Sequence, residues 1–201
     1  MAPGTETAEQ RKVRLVGIAR DVIARDGVAG CTFRRLAAAA GTSTRPFTHA
    51  FGTRENLLRE VAHSLWENGP IDLAAGVVDI DDIDDCVEEL ITIGARALPL
   101  SRRQAVTERI YLEIVLFSLT RPALHAELRR NTDIAAARAE ALIAAGQARG
   151  QIRAGSASDL AIAFWVLHAG MAFEGIHKHD ALTPDVLRRI WRDGVERLLR
   201  P

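Results

Sequence analysis

Apolar residues recur at helical spacing along most of the chain, and no stretch shows the alternation of a β-strand. In the first long segment, about residues 8–25, a single buried stripe is formed by Leu15, Ile18, Ala19, Val22 and Ile23. Comparable stripes follow in seven later segments, near 33–40, 53–69, 80–98, 102–119, 122–149, 156–175 and 183–199. With one further short helix near 44–50, the pattern predicts an all-α protein of about nine helices.

Capping residues and helix breakers mark where these helices begin and end. Thr7 and Gln10 have the spacing of a capping box, and Gly69-Pro70 is a strong stop after the fourth helix. The sixth helix, 102–119, is apolar on nearly all sides, which predicts that it is buried.

The stretch 32–51 predicts two short helices joined by a tight turn. Leu36, Ala37 and Ala40 share one face of the first helix, and Gly41 supplies the left-handed conformation that a sharp turn needs. We expect Ser43 to cap the second helix, about 44–50, which presents Thr44, Arg45, Thr48 and His49 outward and Phe47 and Phe51 inward. This pattern fits a helix-turn-helix, although an ordinary helical hairpin shares part of it.

The residues around this stretch favour a helix-turn-helix over an ordinary helical hairpin. The run from Leu15 to Leu58 resembles the DNA-binding domain of TetR-type transcriptional regulators, through Ala19, Gly27, Thr32, Leu36, Ala37, Gly41, Ser43, Phe51, Arg54, Glu55 and Leu58. The resemblance implies an N-terminal three-helix DNA-binding domain, 1–52, a connecting fourth helix, 53–69, and a helical ligand-binding and dimerisation domain, 70–201.

The helix-turn-helix interpretation predicts which residues meet DNA. From their chemistry, Arg45 would read a guanine and Thr44 a thymine methyl group, since these side chains suit those base edges. The DNA backbone would be met by Thr32, Arg34, Arg35, Ser43, Thr48, His49 and Arg54. Two positions depart from the family pattern: Arg45 replaces a usual glycine, and Thr48 replaces a usual tyrosine that contacts phosphate. Pro46 disfavours helical geometry at Arg45 and predicts that the helix start can shift by one residue.

The C-terminal part resembles the family more loosely. Residues 111–175 look most like the subgroup that includes the choline-responsive BetI repressor, and the family holds a small-molecule effector in this body. The candidate effector-binding residues are Trp66, Tyr111, Glu113, Phe117, Trp165 and His168, because aromatic walls with a few polar groups suit small ligands. Each aromatic residue alone also fits an ordinary core position. The last two helices would pair with those of a second subunit to form a homodimer.

Composition and charge favour some classes of function over others. Residues 1–66 carry ten Lys or Arg and six Asp or Glu, whereas 67–201 carry sixteen and twenty, so the N-terminal part is basic. Arg11, Lys12 and Arg14 occupy the first turns of the first helix, against the helix dipole, where a DNA phosphate would offset their cost. No apolar run approaches the length of a membrane span and the N-terminus lacks a signal-peptide core, so we expect a cytoplasmic protein without a membrane partner.

The candidate chemistry does not favour an enzyme. The sequence has no Gly-rich phosphate loop and no recognisable nucleophile and base pair. Cys31 and Cys86 are expected to be reduced thiols, and neither the aspartates of 79–85 nor His177 and His179 have the spacing of a metal site. We therefore expect no cofactor, and predict a DNA-binding regulator, a repressor released from a palindromic operator by an unknown small molecule. The alternative is a helical interaction or ligand-binding module without DNA binding.

Overall fold

The computed structural model describes residues 6–67, 79–178 and 180–201, and within these ranges every regular element is helical. A short 3₁₀ turn at Ile80–Asp82 precedes the fifth of nine helices. These are α1 (Ala8–Gly30), α2 (Phe33–Ala39), α3 (Arg45–Phe51), α4 (Arg54–Glu67), α5 (Cys86–Ala97), α6 (Arg102–Ser118), α7 (Pro122–Ala148), α8 (Ala157–His177) and α9 (Pro184–Leu199). The all-α prediction is confirmed. The predicted boundary between the fourth helix and the next domain, near 69–70, lies outside the described residues.

The predicted caps hold several helices at their first turns. Thr7 and Gln10 form the reciprocal capping box of α1. Ser156 and Thr183 accept bonds from backbone N–H groups at the starts of α8 and α9. The expected end of the first helix at Gly27 is instead a kink, where Gly27 has a φ of 72° and one more helical turn follows to Gly30.

The chain divides into two compact units, and their division differs from the predicted boundary at residue 52. Unit 1 contains the described residues 6–66 together with 109–128, so α4 up to Trp66 and the C-terminal half of α6 belong to it. Its core is formed by large side chains with essentially no solvent exposure, among them Leu15, Ile23, Leu36, Phe47, Leu57 and Leu58. Burial of these apolar residues fixes α1 to α4 against one another.

Unit 2 contains the described residues of 67–108 and 129–201. Trp191 of α9 is at its centre, where its indole nitrogen Nε1 donates a hydrogen bond of 2.8 Å to the carbonyl oxygen of Ile91. The ring lies directly on Gly94 of α5. Leu90, Leu142 and Phe164 are buried in the same cluster, so α5, α7, α8 and α9 share one core.

Helix α6 is less buried than its apolar sequence predicted. Only Ile110, Ile114 and Ser118 are buried along it, whereas Leu116 remains 66% exposed. The expectation of a fully buried helix is therefore wrong, because α6 fully buries a single stripe, exposes Leu116 and leaves its other apolar residues half-buried.

Both cysteines are buried and free, as expected. Burial raises the pKa of the Cys31 thiol to about 11. The two side chains thus act as small apolar groups.

One helix in the described part of the chain, α8, is long and apolar enough by length and composition to cross a membrane, which corrects the expectation that no run approaches this length. Its best 18-residue window has a mean hydropathy of 1.3, and 39% of that window is buried within the protein. The helix also carries Asp159, His168 and Glu174. A core helix passes the same test, so this feature is weak evidence for a membrane span.

Candidate nucleic-acid interface

The turn between α2 and α3 is built by backbone hydrogen bonds around Gly41. The N–H of Gly41 bonds to the carbonyl of Ala38 at 3.2 Å, and the N–H of Thr42 bonds to the carbonyl of Ala37 at 2.9 Å. This pair of bonds is a Schellman motif, which requires a left-handed residue, and Gly41 has a φ of 61°. The motif ends α2 sharply and sets the direction in which the chain enters α3.

Helix α3 is anchored by one face and open on the other. Phe47 and Phe51 are buried, and the Phe47 ring stacks on Phe33 of α2 with 6.3 Å between ring centroids. The opposite face carries exposed polar side chains: Thr44, Arg45, Thr48 and His49. The inward and outward assignments made from the sequence match this arrangement, and the open face is short, polar and fixed on a rigid support.

The predicted cap of α3 is wrong. The capping position is occupied by Thr44, whose side chain makes no capping bond, and Ser43 is exposed just before it. The helix begins at Arg45 instead of Thr44, the one-residue shift that Pro46 predicted. The hydroxyl of Thr48 donates a 3.2 Å hydrogen bond back to the Thr44 carbonyl, which closes this first turn.

The residues expected at the DNA backbone near α2 are at the surface. The Thr32 hydroxyl caps α2 by accepting a 3.3 Å hydrogen bond from the Arg35 N–H. Arg34 and Arg35 are both exposed on the first turn, and Arg35 lies 3.7 Å from the Asp26 carboxylate. Their exposure leaves these guanidinium groups accessible to an anion.

Arg54 differs from the other predicted phosphate contacts. Its guanidinium donates a hydrogen bond to the Val28 carbonyl and lies over the Phe117 ring, with 4.8 Å between the guanidinium carbon and the ring centroid. These partners lie within unit 1, so the Arg54 guanidinium has internal contacts at the start of α4. Its contact with a DNA phosphate stays a prediction.

A groove of about 610 Å³ runs between the first turns of α1 and helix α3, and we call it the α1–α3 groove. The charged and titratable residues lining it are Glu9, Arg11, Lys12, Arg14, Arg45 and His49. For the basic residues of α1, the sequence predicted a nearby DNA phosphate from their charge and position but assigned no specific contact. The groove therefore extends the polar face of α3 with basic side chains.

Residues 15–61 match the model of a family described as bacterial regulatory proteins, tetR family. The matched segment contains the α2–turn–α3 arrangement described above. The chain accordingly carries a tetR-type DNA-binding domain, with its helix-turn-helix in unit 1. No curated protein matches the chain in sequence.

Several solved structures share this fold over nearly the whole chain. A transcriptional regulator from Saccharomonospora viridis in complex with choline is 20% identical, with a TM-score of 0.83, and the match covers 96% of this chain and 99% of that one. A transcriptional regulator from Rhodococcus sp. Rha1 is 19% identical, with a TM-score of 0.79 and coverages of 93% and 95%. AibR, in complex with isovaleryl coenzyme A and operator DNA, is 20% identical, with a TM-score of 0.65 and coverages of 95% and 99%.

The effector candidates are distributed over the two units. Tyr111, Glu113 and Phe117 lie in unit 1, Trp165 and His168 lie in unit 2, and the side chain of Trp66 is outside the described residues.

In unit 1, Glu113 and Phe117 are already used by the protein. The Glu113 carboxylate accepts a 2.7 Å hydrogen bond from the Val28 N–H at the kink of α1 and pairs with Arg109. Phe117 lies against Arg121, whose guanidinium carbon is 3.5 Å from the ring centroid. Both residues thus have structural contacts, and their predicted effector role stays a prediction. Tyr111 is half-buried on the same helix.

In unit 2, Trp165 and His168 form an aromatic pair with 5.4 Å between their ring centroids. His168 is 5% exposed, and burial lowers its pKa to about 4 against the opposing effect of a hydrogen bond with the Gly94 backbone. The imidazole is therefore neutral near pH 7. Within the described residues, His168 Nε2 and Trp165 Nε1 are buried without a hydrogen-bond partner. Buried polar atoms are rarely left unpaired, so this pair is a candidate contact for a polar ligand group.

Proposed function

We propose that the chain is a homodimeric repressor whose recognition helix α3 reads a palindromic operator and whose release from DNA is controlled by a small molecule. The observation that supports this most directly is the exposed polar face of α3, with Arg45 and Thr44 fixed by the buried Phe47. An exposed guanidinium can donate two hydrogen bonds to the O6 and N7 acceptors of guanine, which is a common specific contact in the major groove.

A dimer suits this mode of reading. Two recognition helices about 34 Å apart meet successive major-groove segments on one side of the duplex, which explains a palindromic site. Exposed apolar side chains on α8 and α9 are candidates for the subunit interface: Ile162, Val166, Phe173 and Ile190. A regulator of this kind works on DNA in the cytoplasm, without a membrane partner and without a catalytic cofactor.

The Arg45→Ala variant tests whether Arg45 contacts bases. The matched control is Arg20→Ala, which also removes one positive charge, from an exposed position of α1. We expect Arg45→Ala to lose roughly 1–3 kcal/mol of operator binding, and to lose less on a scrambled duplex, because a base contact is absent there. Fluorescence anisotropy on both duplexes measures the difference. If Arg45→Ala and Arg20→Ala weaken binding to both duplexes equally, Arg45 does not read bases.

We further propose that the effector contacts Trp165 and His168 in unit 2. The neutral His168 Nε2 would accept a hydrogen bond and the Trp165 N–H would donate one. The ligand would therefore be a small molecule with a group that both donates and accepts hydrogen bonds, such as a hydroxyl. The structurally similar regulator from Saccharomonospora viridis holds choline, and AibR holds isovaleryl coenzyme A. Choline, a small cation with a hydroxyl group, is therefore the first probe, and isovaleryl coenzyme A is a larger second probe.

Trp165→Phe tests this contact, since it keeps an aromatic ring and removes the N–H donor. Choline and isovaleryl coenzyme A would each be titrated into the protein–operator complex, and release of DNA would be followed by anisotropy. If one of them releases the parent, we expect Trp165→Phe to need a higher concentration. Release of both proteins at the same concentration would remove Trp165 from the effector site.

An α-helical interaction module without DNA binding remains the second candidate, because Thr48 replaces a tyrosine that the family usually places at phosphate. It predicts equal, weak binding to every duplex. An enzyme has less support, since the structures to which the chain is similar are transcriptional regulators.

A further inference from the structure

The Glu6 carboxylate is held by two arginine side chains at the start of α1. Arg14 Nε donates to Glu6 Oε1 at 2.8 Å, and Arg14 Nη2 donates to Glu6 Oε2 at 3.2 Å. Arg11 Nε reaches the same Oε2 atom at 3.4 Å. The Glu6 carboxylate thus binds two guanidinium groups. It binds that of Arg14 through both carboxylate oxygens and that of Arg11 through one.

These two arginines also line the α1–α3 groove. Arg45 and His49 of α3, which the proposed function places on DNA, lie in the same groove. Glu9 is the acidic residue there, and Lys12 is already paired with Glu60 at 2.9 Å. The side chains of Arg11 and Arg14 can therefore leave Glu6 and bind a ligand next to the recognition helix.

We propose that the α1–α3 groove binds a backbone phosphate of the operator through Arg11 and Arg14, and that the Glu6 carboxylate occupies these two side chains until DNA displaces it. The inference rests on the proposed DNA-binding function and adds a phosphate site, with an internal competitor, that is separate from base reading. A guanidinium binds a carboxylate and a phosphate with the same fork geometry, so one anion can replace the other.

The exchange is favoured by the surroundings of the pair. The side chains of Arg11 and Arg14 are 48% and 52% exposed, and exposed ion pairs contribute little free energy. The hydrogen bond from Arg14 lowers the pKa of Glu6, so the competitor is charged at neutral pH. DNA brings a higher density of negative charge and releases counterions when arginines neutralise its phosphates. The basic residues also oppose the dipole of α1, so they do not serve to stabilise that helix.

The experiment measures binding to the operator and to a scrambled duplex over a salt series. We expect Arg14→Gln to weaken binding to both duplexes by about 3- to 10-fold at low salt, and to reduce the slope of log K against log salt by about 0.9 per lost phosphate contact. Glu6→Gln is expected to strengthen binding to both duplexes by about 2- to 5-fold, because the competitor is gone while the arginines remain. Circular dichroism melting verifies that each variant is folded.

Two comparisons separate a local site from a general charge effect. Arg20→Gln removes the same charge from an exposed position of α1 outside the groove, and we expect a smaller effect and an unchanged slope. Glu6→Gln should have no effect in an Arg11→Gln/Arg14→Gln background, since there is nothing left to release. Equal effects of Arg20→Gln and Arg14→Gln, or a gain from Glu6→Gln that persists without the arginines, would overturn the proposal.

Failure of this inference can be told apart from failure of the proposed function. If the parent prefers its operator and Arg45→Ala loses that preference, while Arg14→Gln binds like the parent with the same salt slope, only the phosphate site is wrong. If the parent has no preference for any duplex, the proposed function fails first.

Discussion

Two arginines of the helix-turn-helix region show how the partner of a side chain decides its role. Arg45 is exposed on α3, whereas the Arg54 guanidinium bonds to the Val28 carbonyl and lies over Phe117. Both arginines are next to a helix start in the sequence, and both were expected to meet DNA. The local pattern cannot distinguish them, because Phe117 is 63 residues away along the chain and is brought to Arg54 only by folding.

Gly94 provides a test of the core of unit 2. A Cβ at this position would lie 2.0 Å from Trp191 Cζ2, and the Trp191 ring is held by its bond to Ile91. We expect Gly94→Ala to lower the free energy of unfolding by about 1–3 kcal/mol, despite the higher helix propensity of alanine. Urea unfolding measures this change in the free energy of unfolding.

The matched control is Gly17→Ala in α1, where a Cβ would meet nothing within 4 Å. This variant should be neutral or stabilised by up to about 1 kcal/mol. If both variants unfold at the same urea concentration, the tight contact between Gly94 and Trp191 is wrong.

At the scale of elements, the sequence predicted the type and order of the helices well. Caps such as Thr7, Ser156 and Thr183 act over three residues, so the local sequence is sufficient to identify them. The burial of α6 was predicted wrongly, because periodicity shows which residues are apolar but not how many neighbours are available to cover them. Ile134 of α7 is likewise apolar and is 61% exposed.

The contacts of the effector candidates could not be predicted from the sequence. Glu113 and Phe117 have suitable chemistry for a ligand site, and they contact Val28, Arg109, Arg54 and Arg121. The partner of Glu113 in α1, Val28, is 85 residues away in the sequence, a separation that no local pattern bridges. Trp165 and His168 are three residues apart on α8, and their rings are in contact.

The bond between Glu113 and Val28 should stabilise the kink of α1. Glu113→Ala leaves the half-buried Val28 N–H and Arg109 without this acceptor, so we expect unit 1 to lose about 1–3 kcal/mol of stability. Glu113→Gln keeps one carbonyl oxygen as an acceptor and should lose less. Thermal melting compares both variants with Glu140→Ala, an exposed carboxylate of α7. Equal melting temperatures for Glu113→Ala and Glu140→Ala would show that the bond contributes nothing.

At the scale of the whole molecule, the exposed apolar residues of α8 predict self-association. Ile162, Val166 and Phe173 are 60%, 66% and 57% exposed, and their spacing places them on one side of the helix. A contiguous apolar surface of this kind usually marks an interface. We expect Val166→Asp to convert a dimer into a monomer in analytical ultracentrifugation.

Leu116→Asp is the control for this experiment, because Leu116 is equally exposed, at 66%, but lies on α6. It should leave the dimer intact. A monomeric parent protein, or dissociation by Leu116→Asp and not by Val166→Asp, would contradict an interface through the last two helices.

The central claim, that this chain reads a DNA sequence through α3 as a dimer, is tested most directly by selection from a random duplex library. The account predicts enrichment of a two-fold symmetric sequence with half-sites about one helical turn, or a multiple of it, apart. Arg45→Ala should lose the preference for one base pair in each half-site. A bound pool that stays random after repeated selection, while the protein remains folded, would contradict the claim.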